Sequence, residues 1–173
     1  MFVHLLYSYI TNPLKAISKW QDKKPFLAGL TIIFLVSLSN MVKAHNALAI
    51  LVQAVFLFLF SCIFLFIFSS VLDFTAQLSE LKSQSLTLFL WLGISWIPFL
   101  LAPAFQLIFD YVPGIITLVL IVISCGLQVI TLKVLYQIST KKSILLFFTP
   151  LLLAIGFFLL IMIIGIISIS LFV

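Results

Sequence analysis

The carboxylates, imidazoles and thiols of this chain number eight: four Asp or Glu, two His and two Cys among 173 residues. Asp22, Asp73, Glu80 and Asp110 each fall in a polar stretch between long apolar runs. Asp73 and Glu80 are seven apart, which on a helix puts them on one face. Acid–base catalysis needs more than a shared face; it needs a pocket and shifted pKa values. The spacing reads as a solvated face. His4 and His45 end on opposite sides of the membrane in the topology derived below, so they share neither a metal nor a proton relay. Cys62 and Cys125 lie inside apolar runs, with no His or second Cys at ligand spacing, and read as small packing residues. No Walker loop, HExxH, GxSxG, CxxC or GxGxxG occurs. The expectation is therefore a non-enzymatic protein, with no catalytic, metal-binding or cofactor-binding residue and no cofactor.

The remaining chemistry is that of uncharged polar groups in oil. Gln53, Gln106 and Gln128 stand inside or near apolar runs. Two readings compete for them: interhelical hydrogen bonds of ~1 kcal/mol or less, or a polar path for a small solute. In the run Leu86–Ile108, Pro98 leaves the Ile94 carbonyl without its helical donor, and Pro103 does the same to Phe99. Such carbonyls cannot face lipid unpaired. The kinked side should point into the bundle, toward water, or toward a side chain such as Ser95. Gly93 and Ser95 beside Trp91 and Trp96 imply close helix approach. A broken helix at mid-membrane is also how transporters expose backbone to substrate. Ser95, Pro98, Pro103 and Gln128 are thus the candidate polar mid-membrane region. A cavity lined there by the Ile94 and Phe99 carbonyls with Gln128 would mark transport, and a sealed bundle would mark an adaptor.

These residues must be positioned by helices. Hydrophobic residues make up 65% of the chain and charged ones 8%, against about half and a quarter in soluble domains. A helical crossing takes ~20 apolar residues. Five runs qualify, at about 26–42, 47–72, 86–108, 114–136 and 145–171. The fold class is all-α, a polytopic membrane protein with a five-span domain at 25–173. The first run is short for a crossing and should stand nearly upright.

Residues 1–24 do not read as a secretory signal, because their lysines follow the apolar part. Asn12-Pro13 reads as a helix start, Asn12 capping and Pro13 in the first turn. Beyond it Leu14, Ile17 and Trp20 share one face and Lys15, Lys19 and Lys23 the other. That pattern predicts an interfacial amphipathic helix, its apolar side in the headgroup boundary. The segment Asp73–Gln84 reads likewise as a short amphipathic helix at the membrane face, with Phe74, Leu78 and Leu81 at helical spacing. The candidate partner or lipid surface is Lys15, Lys19, Lys23, Asp73, Gln77, Glu80 and Lys82.

All nine basic residues are lysines, and the net charge is +5. They flank apolar runs instead of forming an arginine-rich patch, so nucleic acid is not an expected partner. With five crossings and a cytoplasmic N-terminus, eight lysines lie inside and only Lys43 outside. A third run that entered and returned on one side would give five against four, so a single kinked crossing fits better. Trp20 and Tyr136 at the inner boundary and Tyr111 at the outer one then serve as interfacial anchors.

The stretches YITNPLKAISKW and DFTAQL, with LKSQSLTLFLWLGISWIPFLLAP after the latter, make the chain resemble the Yip family (Ypt-interacting proteins) in its small bacterial branch. The layout is similar over nearly the full length. The resemblance implies a bacterial inner-membrane location, and five crossings from a cytoplasmic N-terminus put the C-terminus outside. It also implies a membrane-organising or trafficking-adaptor role, with lipid and other membrane proteins, or further copies of the chain, as partners. The N-terminal extension and DLYGP-type motif of eukaryotic members are absent, so GTPase binding is not implied. A small transporter, or a transporter's membrane subunit using the Pro98–Pro103 break, is the alternative.

Overall fold

The computed structural model describes residues 2–20, 25–39, 47–108 and 113–172, and every regular element among them is helical. In order these are α1 (Phe2–Thr11), α2 (Pro13–Trp20), α3 (Phe26–Ser39), α4 (Ala47–Leu78), α5 (Ser85–Ile94), a 3₁₀ helix (Ile97–Leu101), α6 (Ala102–Ile108), α7 (Pro113–Leu135) and α8 (Thr140–Phe172). Four stretches are long and apolar enough to cross a bilayer: Leu48–Leu78, Ser85–Phe105, Gly114–Leu135 and Thr140–Ile163. This is a multi-pass helical membrane protein. The first expected span is apolar along α3, whose 14 residues reach about 21 Å at 1.5 Å per residue. Its expected end at residue 42, and Asp22, Lys23, Lys24, Lys43, His45, Asp110 and Tyr111, lie outside the described residues.

The centre of the molecule is α5. Every residue from Thr87 to Ile94 is buried, so the helix has no outward face. A helix apolar all round is either a lipid-facing span or enclosed by protein, and here α3, α4 and α7 enclose it. Two glycines set the closest approach. A Cβ at Gly29 of α3 would lie 2.8 Å from the Leu90 carbonyl oxygen, and one at Gly93 of α5 would lie 2.8 Å from Ile33 Cδ1. Small residues at a crossing let backbones meet, which drives association where lipid removes the usual hydrophobic gain.

Trp91 fills the middle of this core, with its ring centroid 5.7 Å from that of Tyr9. Tyr9 belongs to α1, a helix the sequence reading does not anticipate; Leu5 and Tyr9 on it are both buried. The start of α2 is as predicted, with Asn12 Oδ1 accepting the Lys15 N–H at 3.2 Å. Its apolar side is divided: Leu14 is exposed and Trp20 half-buried, while Ile17 turns inward. Ala16 and Ile17 are buried in the protein core, where α2 packs on α7, while Lys15 and Lys19 are exposed.

α4 is the larger departure. It runs without a break through Asp73 to Leu78, where a separate surface helix over Asp73–Gln84 was expected. Nothing between Leu72 and Leu78 breaks a helix, so the backbone continues. The buried face is Leu72, Asp73 and Ala76, and the supposed apolar face of Phe74 and Leu78 is exposed. The end is a Schellman motif. The Glu80 N–H reaches the Gln77 carbonyl at 2.9 Å and the Leu81 N–H reaches that of Ala76 at 3.2 Å, with Glu80 left-handed at φ 62°. α7 ends similarly: Gln137 has φ 53° and the Ile138 N–H reaches the Lys133 carbonyl at 3.2 Å.

Candidate functional site

Where α4, α5 and α7 terminate at one end of the bundle, Asp73 gathers them. Its side chain leaves only 2% of the residue exposed. Oδ1 accepts the Tyr136 hydroxyl at 2.5 Å and the Gln84 N–H at 2.7 Å. Oδ2 accepts the Ser83 hydroxyl at 2.7 Å and the Gln77 amide at 2.8 Å. Gln84 in turn donates its amide to the Leu135 carbonyl at 3.0 Å. Each donor has a positional cause. Gln77 is one turn along α4. Ser83 and Gln84 precede α5 directly, and Tyr136 closes the last turn of α7.

Four donors converge on two oxygens, which suits an acceptor-only, ionised carboxylate. The arrangement does not suit proton transfer. Among the described residues no second carboxylate, imidazole or thiol is hydrogen-bonded to it, and each oxygen already accepts two donors. It clamps three helix ends in register. The solvated face expected for Asp73 and Glu80 is thus corrected: Glu80 is exposed, and Asp73 is buried. Tyr136 is likewise a buried donor to Asp73 and not a boundary anchor. Local sequence carried no signal for this, because the donors Tyr136, Ser83 and Gln84 come from beyond the helix that bears Asp73.

The second candidate region is the broken span. The chain leaves α5 through Ser95, whose N–H reaches the Trp91 carbonyl at 3.0 Å, and the Trp96 N–H reaches that of Gly93 at 3.2 Å. It then winds as 3₁₀ helix with Phe99 N–H on the Trp96 carbonyl at 2.9 Å. The Phe99 carbonyl, which Pro103 cannot serve, accepts the Ala102 N–H. Tighter winding thus pairs it without water. Ser95 was expected to relieve the break with its hydroxyl. That hydroxyl instead donates to the Leu92 carbonyl at 2.6 Å, and the Ser95 carbonyl accepts the Ser124 hydroxyl of α7 at 2.7 Å. Gln128 is buried one turn beyond Ser124 on α7, while Gln53 is exposed on α4.

A groove of about 650 Å³ opens beside the break, and its walls include Tyr9, Pro98, Leu101, Phe105, Val119 and Ile123. Ile94, Phe99 and Gln128 take no part in it. Ser95 and Pro98 are buried and Pro103 is half-buried, and of the four residues of the expected polar region Pro98 alone lines this groove. Among the described residues the buried Tyr9 hydroxyl and Trp91 Nε1 have no hydrogen-bond partner.

Among the described residues no three His, Cys, Asp or Glu side chains cluster as metal ligands would, and Cys62 and Cys125 are both unpaired and half-buried. Of the expected surface residues, Lys15, Lys19, Gln77, Glu80 and Lys82 are exposed. Lys23 falls outside the described residues. Neither protein-family models, curated proteins nor solved structures match this chain.

Proposed function

We propose that this chain is a non-enzymatic membrane-organising adaptor of Yip-like type, crossing the membrane five times with a cytoplasmic N-terminus in a bacterial inner membrane. In this reading α3 is the fifth crossing. The observation that carries the adaptor role over the transport alternative is the apolar groove at the helix break. A solute path there would need polar walls, and Ile94, Phe99 and Gln128, which would supply them, do not line the groove. Support for the orientation comes from the end marked by Asp73, where the chain segments bearing Lys82, Lys133, Lys141 and Lys142 come together; lysines favour the cytoplasmic side. The docking surface is the exposed Lys15 and Lys19 of α2 with the turn bearing Glu80 and Lys82.

Two measurements test this. Cysteine placed at Lys43 is labelled from outside and cysteine at Lys141 is not; the reverse pattern overturns the orientation. Affinity capture in mild detergent recovers a defined membrane-protein partner, and the K15E/K19E variant inserts normally but loses it. Recovery of the chain alone, or equal recovery by the variant, defeats the adaptor role.

A further inference from the structure

A second groove, of about 390 Å³, lies between the ends of α4 and α7 and the first turns of α8. At its upper rim are Ser79, Ile138 and Lys142; deeper along α8 come Leu145, Thr149 and Leu153. The two Schellman ends build it: Leu81 and Ile138, the residues that follow the left-handed Glu80 and Gln137, both line it. The groove therefore begins at the polar boundary and descends into the apolar zone.

Its polar atoms are unequal. The hydroxyl of Thr75 donates to the Leu72 carbonyl at 2.8 Å, that of Thr149 to Leu145 at 2.9 Å, and that of Ser79 to Thr75 at 3.4 Å. All three are committed to their own helix. Lys142 differs. Its backbone N–H goes to the Ser139 hydroxyl at 3.4 Å, and no described carboxylate pairs with its ammonium. Lys141 and Lys82 are exposed at the same end, and Asp73 is already saturated by its four donors. Glu80 and the ionised Asp73 offset two of the three lysine charges, Lys82, Lys141 and Lys142, and leave the described rim net positive. The rim is thus cationic, with one uncommitted donor directly on the groove.

Below the rim the wall is hydrocarbon. From Lys142 to Leu153 is eleven residues of α8, about 16 Å at 1.5 Å per residue, close to one leaflet's share of a ~30 Å hydrocarbon core. A basic residue at the boundary attracts anionic headgroups, and an apolar channel of one leaflet's depth accepts one acyl chain. We propose that this groove holds an anionic phospholipid, its phosphate on Lys142 and one acyl chain along Leu145, Thr149 and Leu153. The inference stands on the membrane-spanning fold and not on the adaptor reading.

The test is native mass spectrometry of the full-length protein from detergent micelles titrated with dioleoyl phosphatidylglycerol or dioleoyl phosphatidylcholine. One phosphatidylglycerol is retained about tenfold more readily than phosphatidylcholine. K142E removes the preference by charge, and T149W reduces phosphatidylglycerol retention about tenfold by filling the channel without changing charge. Equal retention of the two lipids by the native chain overturns the proposal. So does undiminished phosphatidylglycerol retention by both K142E and T149W, with helicity by circular dichroism confirming that each is folded. Partner capture by the same variants is unchanged, which separates this site from the adaptor surface.

Discussion

Helical hydrogen bonding stops twice around α5, and the two stops are repaired by opposite means. At its N-terminal side the chain crosses from α4 to α5 at the polar end of the bundle, and side chains take over from backbone. A single carboxylate collects a hydroxyl from α7, a backbone N–H, a serine and a glutamine. At its C-terminal side the chain passes Pro98, and the backbone repairs itself by tightening to 3₁₀ geometry, with one serine from α7 in support. Depth explains the contrast. Near the boundary, residues such as Ser83 and Gln77 share in water, so a charge can be held at moderate cost. Deep in the bundle a charge is expensive, and rewinding satisfies a carbonyl without one. The first stop is a clamp between helices, and the second is a bend within one.

The comparison has a quantitative edge. Asp73→Ala should do the greater damage, about 3 kcal/mol, because it leaves the Tyr136 hydroxyl and the Gln84 N–H without an acceptor at ~1–3 kcal/mol each. Reversible unfolding in mixed detergent and dodecyl sulfate micelles reads this directly. Asp73→Asn, which keeps the shape but removes the charge, should fall between that variant and the native chain. Ser124→Ala at the bend should cost less, about 0.6–1 kcal/mol, in line with interhelical hydrogen bonds in bilayers. If the two losses were equal, the distinction between clamp and bend would fail.

The burial pattern repeats the lesson on a larger scale. The most apolar window of α8 is 6% buried within the protein, against 56% for the window that includes α5. Yet α8 is the more apolar of the two. Hydropathy here tracks contact with lipid and not depth in the fold. The least greasy long segment is the core, because it can carry Gly93, Ser95 and Thr87 against other helices and need not satisfy lipid.

That relation marks what the amino-acid sequence determined unaided. Apolar length located the long helices: the ends of α7 and α8 fall within about five residues of those read from composition, and the helix break falls at the prolines. The Asn12-Pro13 helix start follows equally from local chemistry, since a cap depends only on its own turn. Asp73 shows the other side. Sequence spacing put it with Glu80 on a wet face, because helical periodicity reports which residues share a face but not which face meets protein. Only the arrival of Tyr136, sixty-three positions along, and of Ser83 and Gln84 from the next helix start, turned that face inward. The same holds for Ile17 and Tyr9, apolar enough for lipid but drawn against α7 and Trp91. Local hydrogen bonds and hydrophobic length are properties of a segment, whereas the partner of a buried polar atom belongs to the packing of several segments, and tertiary structure alone supplies it.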